Sequence, residues 1–387
     1  MATSSPHPSG SLRRTPLADW HLAHGGRPVD FAGWELPVRY APGPVAEHLH
    51  TRAAASLFDV GHMGIVELHG PGADRALERL VPADVVGLAE GRQRYTVLTT
   101  ADGGVIDDLM VARTGGHLTL VVNAARREAD LAHLRSELAP DLEVVERTDV
   151  TLLALQGPAA VDVVAEHAPA VLELGFMGLG RVRLADVDVL VSRSGYTGED
   201  GLELHVPVGA AEAVADLLAG HPTVAPAGLA ARDSLRLEAG LCLWGHDLDE
   251  TTSPVEAGLG WTIGRRRRAE GGFPGAAVVL AQLAGRAPRR RVGLRPAGRR
   301  PVRDGAVLSG ADGTVVGVVT SGGFGPSIDA PIAMGYVAAA SAAPGTELLA
   351  DVRGRAEPVG VVALPFVPHR YARPAAAAVP TPAEEQR

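Results

Sequence analysis

Lysine is absent: each of the 36 basic side chains in this 387-residue sequence is an arginine. That removes any Schiff-base lysine and any P-loop lysine from consideration. Cysteine occurs once, at Cys242, which excludes an internal disulfide and any multi-cysteine metal site. A single cysteine also fits a reducing compartment. Aromatic residues are scarce at 4%, so the cores of a 46% hydrophobic sequence must rest on Val, Leu and Ala. No apolar run approaches the roughly 18 residues that span a membrane. The first fourteen residues lack the apolar centre of a secretory signal. A formal net charge of −9 argues against general nucleic-acid binding. These absences predict a cytoplasmic protein with neither a membrane nor a nucleic-acid partner.

Common signatures of cofactor and hydrolase chemistry are missing as well: no GxGxxG, GxxxxGK(S/T), GxSxG, HExxH or CxxC occurs. An intrinsic dinucleotide fold is thereby excluded. Glu47, His48 and His50 lie close in sequence, but neither helical nor extended spacing converges three ligands there. His246, Asp247, Asp249 and Glu250 read as a polar turn. No metal, flavin or nicotinamide is expected.

At this length two or three domains are expected. Residues 1–14 and 372–387 read as disordered tails, the second rich in Ala and Pro. Between them strand and helix patterns alternate irregularly. Ile65 to Leu68, Leu118 to Val122, Thr151 to Leu155, Val187 to Val191 and Leu202 to Val206 read as strands. Asp74 to Leu80 reads as a short helix, and Leu131, Leu134 and Leu138 fall at helical spacing. So do Val214, Leu217 and Leu218, a stripe closed by Gly220 as a C-terminal cap. Without a regular βαβ period, the class is α+β and not doubly wound. From about residue 285 short β-prone runs with Gly and Pro turns predict a separate small barrel. The expected division is 15–284, two interleaved α+β domains, and 285–371, the barrel. An arginine belt at 265–303 holds twelve arginines against Glu270 alone; it reads equally as a docking surface for an acidic partner and as a solvated connection.

Gly103 to Leu109 is the most informative stretch: a glycine pair, two apolar residues, then two adjacent acids leading into Leu109, Met110 and Val111. This describes a turn feeding a strand, whose alternation sends Asp107 and Asp108 to opposite faces. One acid is expected to meet solvent and the other to enter the interior, where an unpartnered carboxylate is costly. Other polar residues stand at the edges of apolar segments: Tyr95, Asn123, Glu203 after the glycine-rich run from Ser194, and Arg232 at a helix start. Asp233 is placed in the first turn of that helix. A carboxylate such as Glu203 suits a heteroaromatic ring with an amide-like edge, and an arginine suits an acidic tail.

With these residues in place, the chain resembles the aminomethyltransferase (T-protein) family of the glycine cleavage system. The resemblance runs through Val29 to Pro37, Phe58 to Gly64, Gly103 to Leu109, Val121 to Ala124, Gln156 to Pro158, Ser194 to Glu203, Ala231 to Ala239, Gly260 to Ile263, Thr320 to Gly322 and Pro365 to Pro368. It implies a three-domain cloverleaf around a central tetrahydrofolate site, closed by a C-terminal β-barrel. It implies transfer of the aminomethyl group from the lipoyl arm of H-protein to tetrahydrofolate. The products would be 5,10-methylenetetrahydrofolate, ammonia and dihydrolipoyl H-protein. Asp108 takes the place of the catalytic carboxylate, Glu203 that of the pterin-gripping acid and Arg232 that of the folate-contacting arginine. Tyr371 takes that of a C-terminal contact, and Tyr95, Asn123, Tyr196 and Trp261 match pocket positions. The chemistry needs one ionised carboxylate beside the reacting carbon and no metal. Gly61 departs from the family, which usually has Ser there. Rival uses of the same scaffold are a folate-dependent demethylase of a small methylated compound and a non-catalytic folate-binding protein. The latter is expected to carry a cysteine near 272–275, where this chain has none.

Overall fold

The computed structural model of the chain describes residues 11–139 and 141–372. Three lobes and a short N-terminal sheet make up the fold. One lobe is a six-stranded sheet in the order Leu179–Leu184, Val187–Ser192, Gly201–Pro207, Val150–Gln156, Ala55–Asp59, Val224–Pro226. Its apolar face closes over the helices Ala160–Ala165 and Ala211–Ala219. A second lobe is a five-stranded sheet in the order Arg92–Thr99, Val105–Thr114, His117–Val122, Gly64–His69, Glu143–Glu146. Its core packs against Ala73–Leu77 and Arg127–Leu138. The chain starts the first sheet with Ala55–Asp59, builds the second, then returns to the first at Val150, so the two interleave.

The third lobe is a closed six-stranded barrel running from Arg289 to Val362. In the two large sheets and the barrel every strand pair is antiparallel except Val224–Pro226 against Ala55–Asp59. The α+β class and the barrel both hold. Runs with period-two or continuous apolar character became strands, and the five in the two large sheets end within a residue of expectation. The barrel strand Val307–Ser309, too short to signal itself, was not foreseen.

Three expectations need correction. Arg13–Arg14 form a strand paired in parallel with Trp34 and Glu35, so the N-terminal tail ends before them. Residues 1–10 and 373–387 lie outside the described residues, while the Ala372 carbonyl accepts from the Phe176 amide at 3.1 Å. Gly220 ends its helix at φ −68°, a right-handed geometry that needs no glycine. Asp233 sits in the fifth position of Leu229–Glu238 and pairs with Arg236 instead of capping the first turn.

Candidate active site

The glycine pair is required where it stands. Gly103 has φ +83°, and a Cβ on Gly104 would lie 1.7 Å from the Glu250 carbonyl oxygen. Only a residue without a side chain lets the turn press this close. The Val105 amide then donates to the carbonyls of Asp249 and Thr252 at 3.0 and 3.1 Å, which fixes the start of Val105–Thr114. Register places Asp108 opposite Val97 and Asp107 opposite Leu98.

Asp107 and Asp108 alternate faces along the strand, one to the interior and the other partly exposed. Asp107 is fully buried and Asp108 half-buried. The Tyr95 hydroxyl donates to Asp108 Oδ2 at 2.9 Å, and Asn123 Nδ2 donates to Asp108 Oδ1 at 2.9 Å. The same Asn123 amide reaches Asp107 Oδ1 at 2.9 Å and the Asp108 carbonyl at 3.0 Å. A third carboxyl, Asp130 of Arg127–Leu138, is fully buried against Asp107. Among the described residues neither Asp130 oxygen meets an N–H or O–H donor, and its carboxyl acts on that of Asp107.

Burial, then the contact with Asp130, raises the Asp107 pKa far above the usual carboxylate range. Burial, then the charge of Asp107, pushes Asp108 up to about 7 against the hydrogen bonds from Tyr95 and Asn123. The lone ionised acid expected at position 108 is therefore one of three neighbouring carboxyls, poised to gain or lose a proton near neutrality.

The facing wall comes from the six-stranded lobe. Gln156 fills the space beside Gly195, where a Cβ would lie 1.8 Å from its Oε1. Its Nε2 donates to the Ser194 carbonyl at 2.9 Å, and its Oε1 accepts from Thr197 Oγ1 at 2.8 Å. The loop so held lets Ser194 Oγ donate to Glu203 Oε2 at 2.5 Å. Arg232 lies over the Tyr196 ring, 4.8 Å from its centroid. Burial lowers the Arg232 pKa, with the charges of Tyr196 and Glu203 opposing. Its Nη1 is buried and has no hydrogen-bond partner among the described residues. An unpaired donor of this kind is expensive and marks a position where a ligand oxygen would fit.

Tyr196 joins the walls. Its hydroxyl donates to the Cys242 carbonyl. Burial raises its pKa first, modulated by the nearby charges of Arg236, Asp108 and Arg232. Trp261, 63% exposed, stacks on Tyr95 at 5.8 Å and forms a rim. Seven of the eight residues singled out from sequence thus form one group; the eighth is Tyr371. Its ring stacks on Phe176 at 4.3 Å and lies 4.8 Å from His369.

Asp130 was missed, although its signal is legible: it precedes Leu134 and Leu138 at spacings of four and so lies on the buried stripe. Four of the twelve belt arginines, Arg266, Arg267, Arg289 and Arg291, are engaged within the molecule, and the other eight are exposed. Arg266 pairs with Glu78 and Asp84, Arg289 with Glu256, and Arg291 donates to the carbonyls of Ala257 and Gly240.

A carboxyl that burial raises to about 7 on one wall and an unpaired buried guanidinium on the other suit an enzyme of the group-transfer class. The GCVT N-terminal domain profile matches residues 17–267, and that of the glycine cleavage T-protein C-terminal barrel domain matches residues 289–368. The mitochondrial aminomethyltransferase of Mus musculus is 47% identical over 371 residues, covering 93% of this chain and 91% of that protein. That of Pisum sativum is 43% identical, covering 94% and 91%. The crystal structure of glycine cleavage system aminomethyltransferase T from Bartonella henselae aligns at TM-score 0.89 and 43% identity, over 94% of this chain and all of that one. The chain belongs to the aminomethyltransferase family of glycine cleavage T-proteins.

Proposed function

We propose that this chain moves the aminomethyl carbon from the lipoyl arm of H-protein onto tetrahydrofolate, releasing ammonia, 5,10-methylenetetrahydrofolate and dihydrolipoyl H-protein. Ammonia leaves the S–CH2–NH3+ unit with the electron pair of its C–N bond. A folate nitrogen bonds to that carbon and gives up a proton; the second nitrogen closes the methylene bridge as the C–S bond breaks and the thiol departs with a proton. Asp108 in its ionised form steadies the cationic carbon and can take the proton from the attacking nitrogen. A positioned carboxylate of this kind contributes a factor of about 10²–10⁴. Glu203 accepts from the amide-like edge of the pterin, and Arg232 meets an anionic or carbonyl oxygen of the folate. Tyr371 is proposed as a further contact of the folate tail.

The observation that carries this reading is Asp108 held by Tyr95 and Asn123 across from Glu203 and Arg232. The reaction as drawn draws on no metal, flavin or nicotinamide. A cytoplasmic location remains part of the proposal, in keeping with the single, buried, unpaired Cys242.

The test is release of ammonia and methylenetetrahydrofolate from aminomethyl-loaded H-protein. Asp108→Asn should lose most turnover while tetrahydrofolate binding stays nearly intact. Equal loss of both would make Asp108 structural. Turnover of a small methylated compound, with none of loaded H-protein, would turn the reading to a demethylase.

A further inference from the structure

Away from the Asp108 group, two adjacent strands of the five-stranded sheet bring together residues that no linear motif links. Glu67 and His69 lie two apart on Gly64–His69 and so share one face of the sheet. His117 opens the antiparallel neighbour His117–Val122, whose register sets Leu118 opposite Leu68 and Thr119 opposite Glu67. That register carries His117 to the rung of His69. The two imidazoles stack with centroids 4.6 Å apart. His69 Nε2 lies 2.9 Å from Glu67 Oε2, and His117 Nε2 lies 3.5 Å from Glu67 Oε1.

We infer that Glu67, His69 and His117 bind a late first-row divalent cation such as Zn2+, at a site separate from the transfer chemistry. Two imidazoles and a carboxylate form a donor set that zinc accepts with a fourth position left open. The three ligand atoms already lie within 4.8 Å of one another. Bonds of about 2.1 Å in a tetrahedron set ligand atoms roughly 3.4 Å apart, so small side-chain rotations suffice. The carboxylate and His117 are mostly covered, at 13% and 15% side-chain exposure, while His69 at 37% leaves an entry path. The fourth position is open to water or to Glu143, which pairs with His69 across the edge strand.

Arg147 is the competitor, with Nη1 2.5 Å from Glu67 Oε1. It also holds Asp149 through two hydrogen bonds of 2.8 Å, so it has a place to go when a cation takes Glu67. The site is remote from Asn123: along an extended strand, the residues from His117 to the end of His117–Val122 span about 17 Å. Its occupancy should tie the edge of the sheet together without touching catalysis.

The test is titration of the full, metal-stripped, untagged chain with ZnCl2, and with CoCl2 followed by visible absorption. One equivalent should bind, and Co2+ should give the intense visible bands of four-coordination. His69→Ala and His117→Gln should each weaken binding at least about tenfold, the loss already seen when only an outer-shell partner is removed. Arg147→Gln should tighten it, and turnover should be unchanged in all three. Circular dichroism of each variant confirms the fold. Should a variant fail to fold, the Arg147→Gln change and the Co2+ spectrum of the unaltered chain decide. Binding of one equivalent that neither histidine change weakens, or Arg147→Gln without effect, would overturn the assignment.

Discussion

Asp108 is held with its carboxyl pKa raised toward neutrality, and the direction of that shift can be tested. Its pKa is raised to about 7 by burial and then by Asp107. The ionised, working form therefore accumulates as pH rises, and kcat/KM should climb through an acid limb near pH 7. Asp107→Asn removes a neighbouring charge, so the limb should move to lower pH, while Asp108→Asn should abolish it; a pH–rate profile of the three proteins decides. An unmoved limb in Asp107→Asn would assign the titration to another group. Gly61 is a second residue with its reason in the fold. A Cβ there would lie 2.3 Å from Thr151 Oγ1 and 3.0 Å from Asp59 Oδ1. The Thr151 hydroxyl thus occupies the space that a serine at 61 would need. Gly61→Ser should cost about 1–3 kcal/mol, as overpacking does, and Thr151→Ala should recover much of it in urea unfolding. Glu203 and Arg232 stand out in the sequence because polar residues at the edges of apolar runs are few, whereas the choice of Asp108 over Asp107 rests on the family resemblance. The partnership of Asp107 with Asp130 was not legible, since two acids beside a turn look the same in sequence whether solvated or sealed.

At the scale of the element, periodicity carried most of the information. The strand Val105–Thr114 and the helix Arg127–Leu138 were readable from apolar spacing, and their ends were not, because the helix fits any residue without a breaker. What spacing could not report is that this helix drives Asp130 into the core against that strand. Both carboxyls have folded pKa values raised above their unfolded ones, with burial the first cause. Stability from such groups is fully present below the unfolded value of about 3.9 and is lost as pH rises through the raised folded values. The melting temperature of the native sequence should therefore fall from pH 5.5 to 8.5. Asp130→Asn should flatten that fall and gain about 1–2 kcal/mol at the higher pH, since an uncharged amide can donate to Asp107. A thermal melt at both pH values checks it. The cluster Glu67, His69 and His117 belongs to this scale too: alternation and register assemble it, and neither shows in a linear motif.

Across the whole molecule, buried ions join the lobes. Glu238, at the end of Leu229–Glu238, accepts from Arg52 at 3.0 Å, His48 at 3.0 Å and the Ser327 hydroxyl of the barrel at 2.7 Å. Asp247 binds Arg236 at 2.8 Å and the barrel hydroxyls of Ser321 at 2.9 Å and Thr320 at 2.5 Å. His48 and Asp247, weighed from sequence as metal ligands, are instead the pins that seat the barrel. Despite burial, hydrogen bonds from His48 and Ser327 hold the Glu238 carboxyl below its usual range. Its contribution is present above the unfolded value of about 4.3 and is lost as pH falls through the lower folded one. Glu238→Gln leaves Arg52 with Glu199 as its remaining carboxylate and should cost about 3 kcal/mol at neutral pH, less below pH 4, in urea unfolding. The arginine belt illustrates what composition hides at this scale: charges counted along a chain do not say which face inward. A surface partner would find eight of the twelve exposed, Arg265, Arg290, Arg295 and Arg300 among them.

Because the six-stranded sheet opens with Ala55–Asp59 and resumes only at Val150, Phe58 must wait for Ala154, 96 residues later, before it is paired. On the ribosome the five-stranded lobe emerges whole during that wait, with a core of its own. Synthesis should therefore complete the lobe bearing Asp108 first, and the strand that began the chain's other wall should remain exposed to chaperones until the polypeptide returns for it.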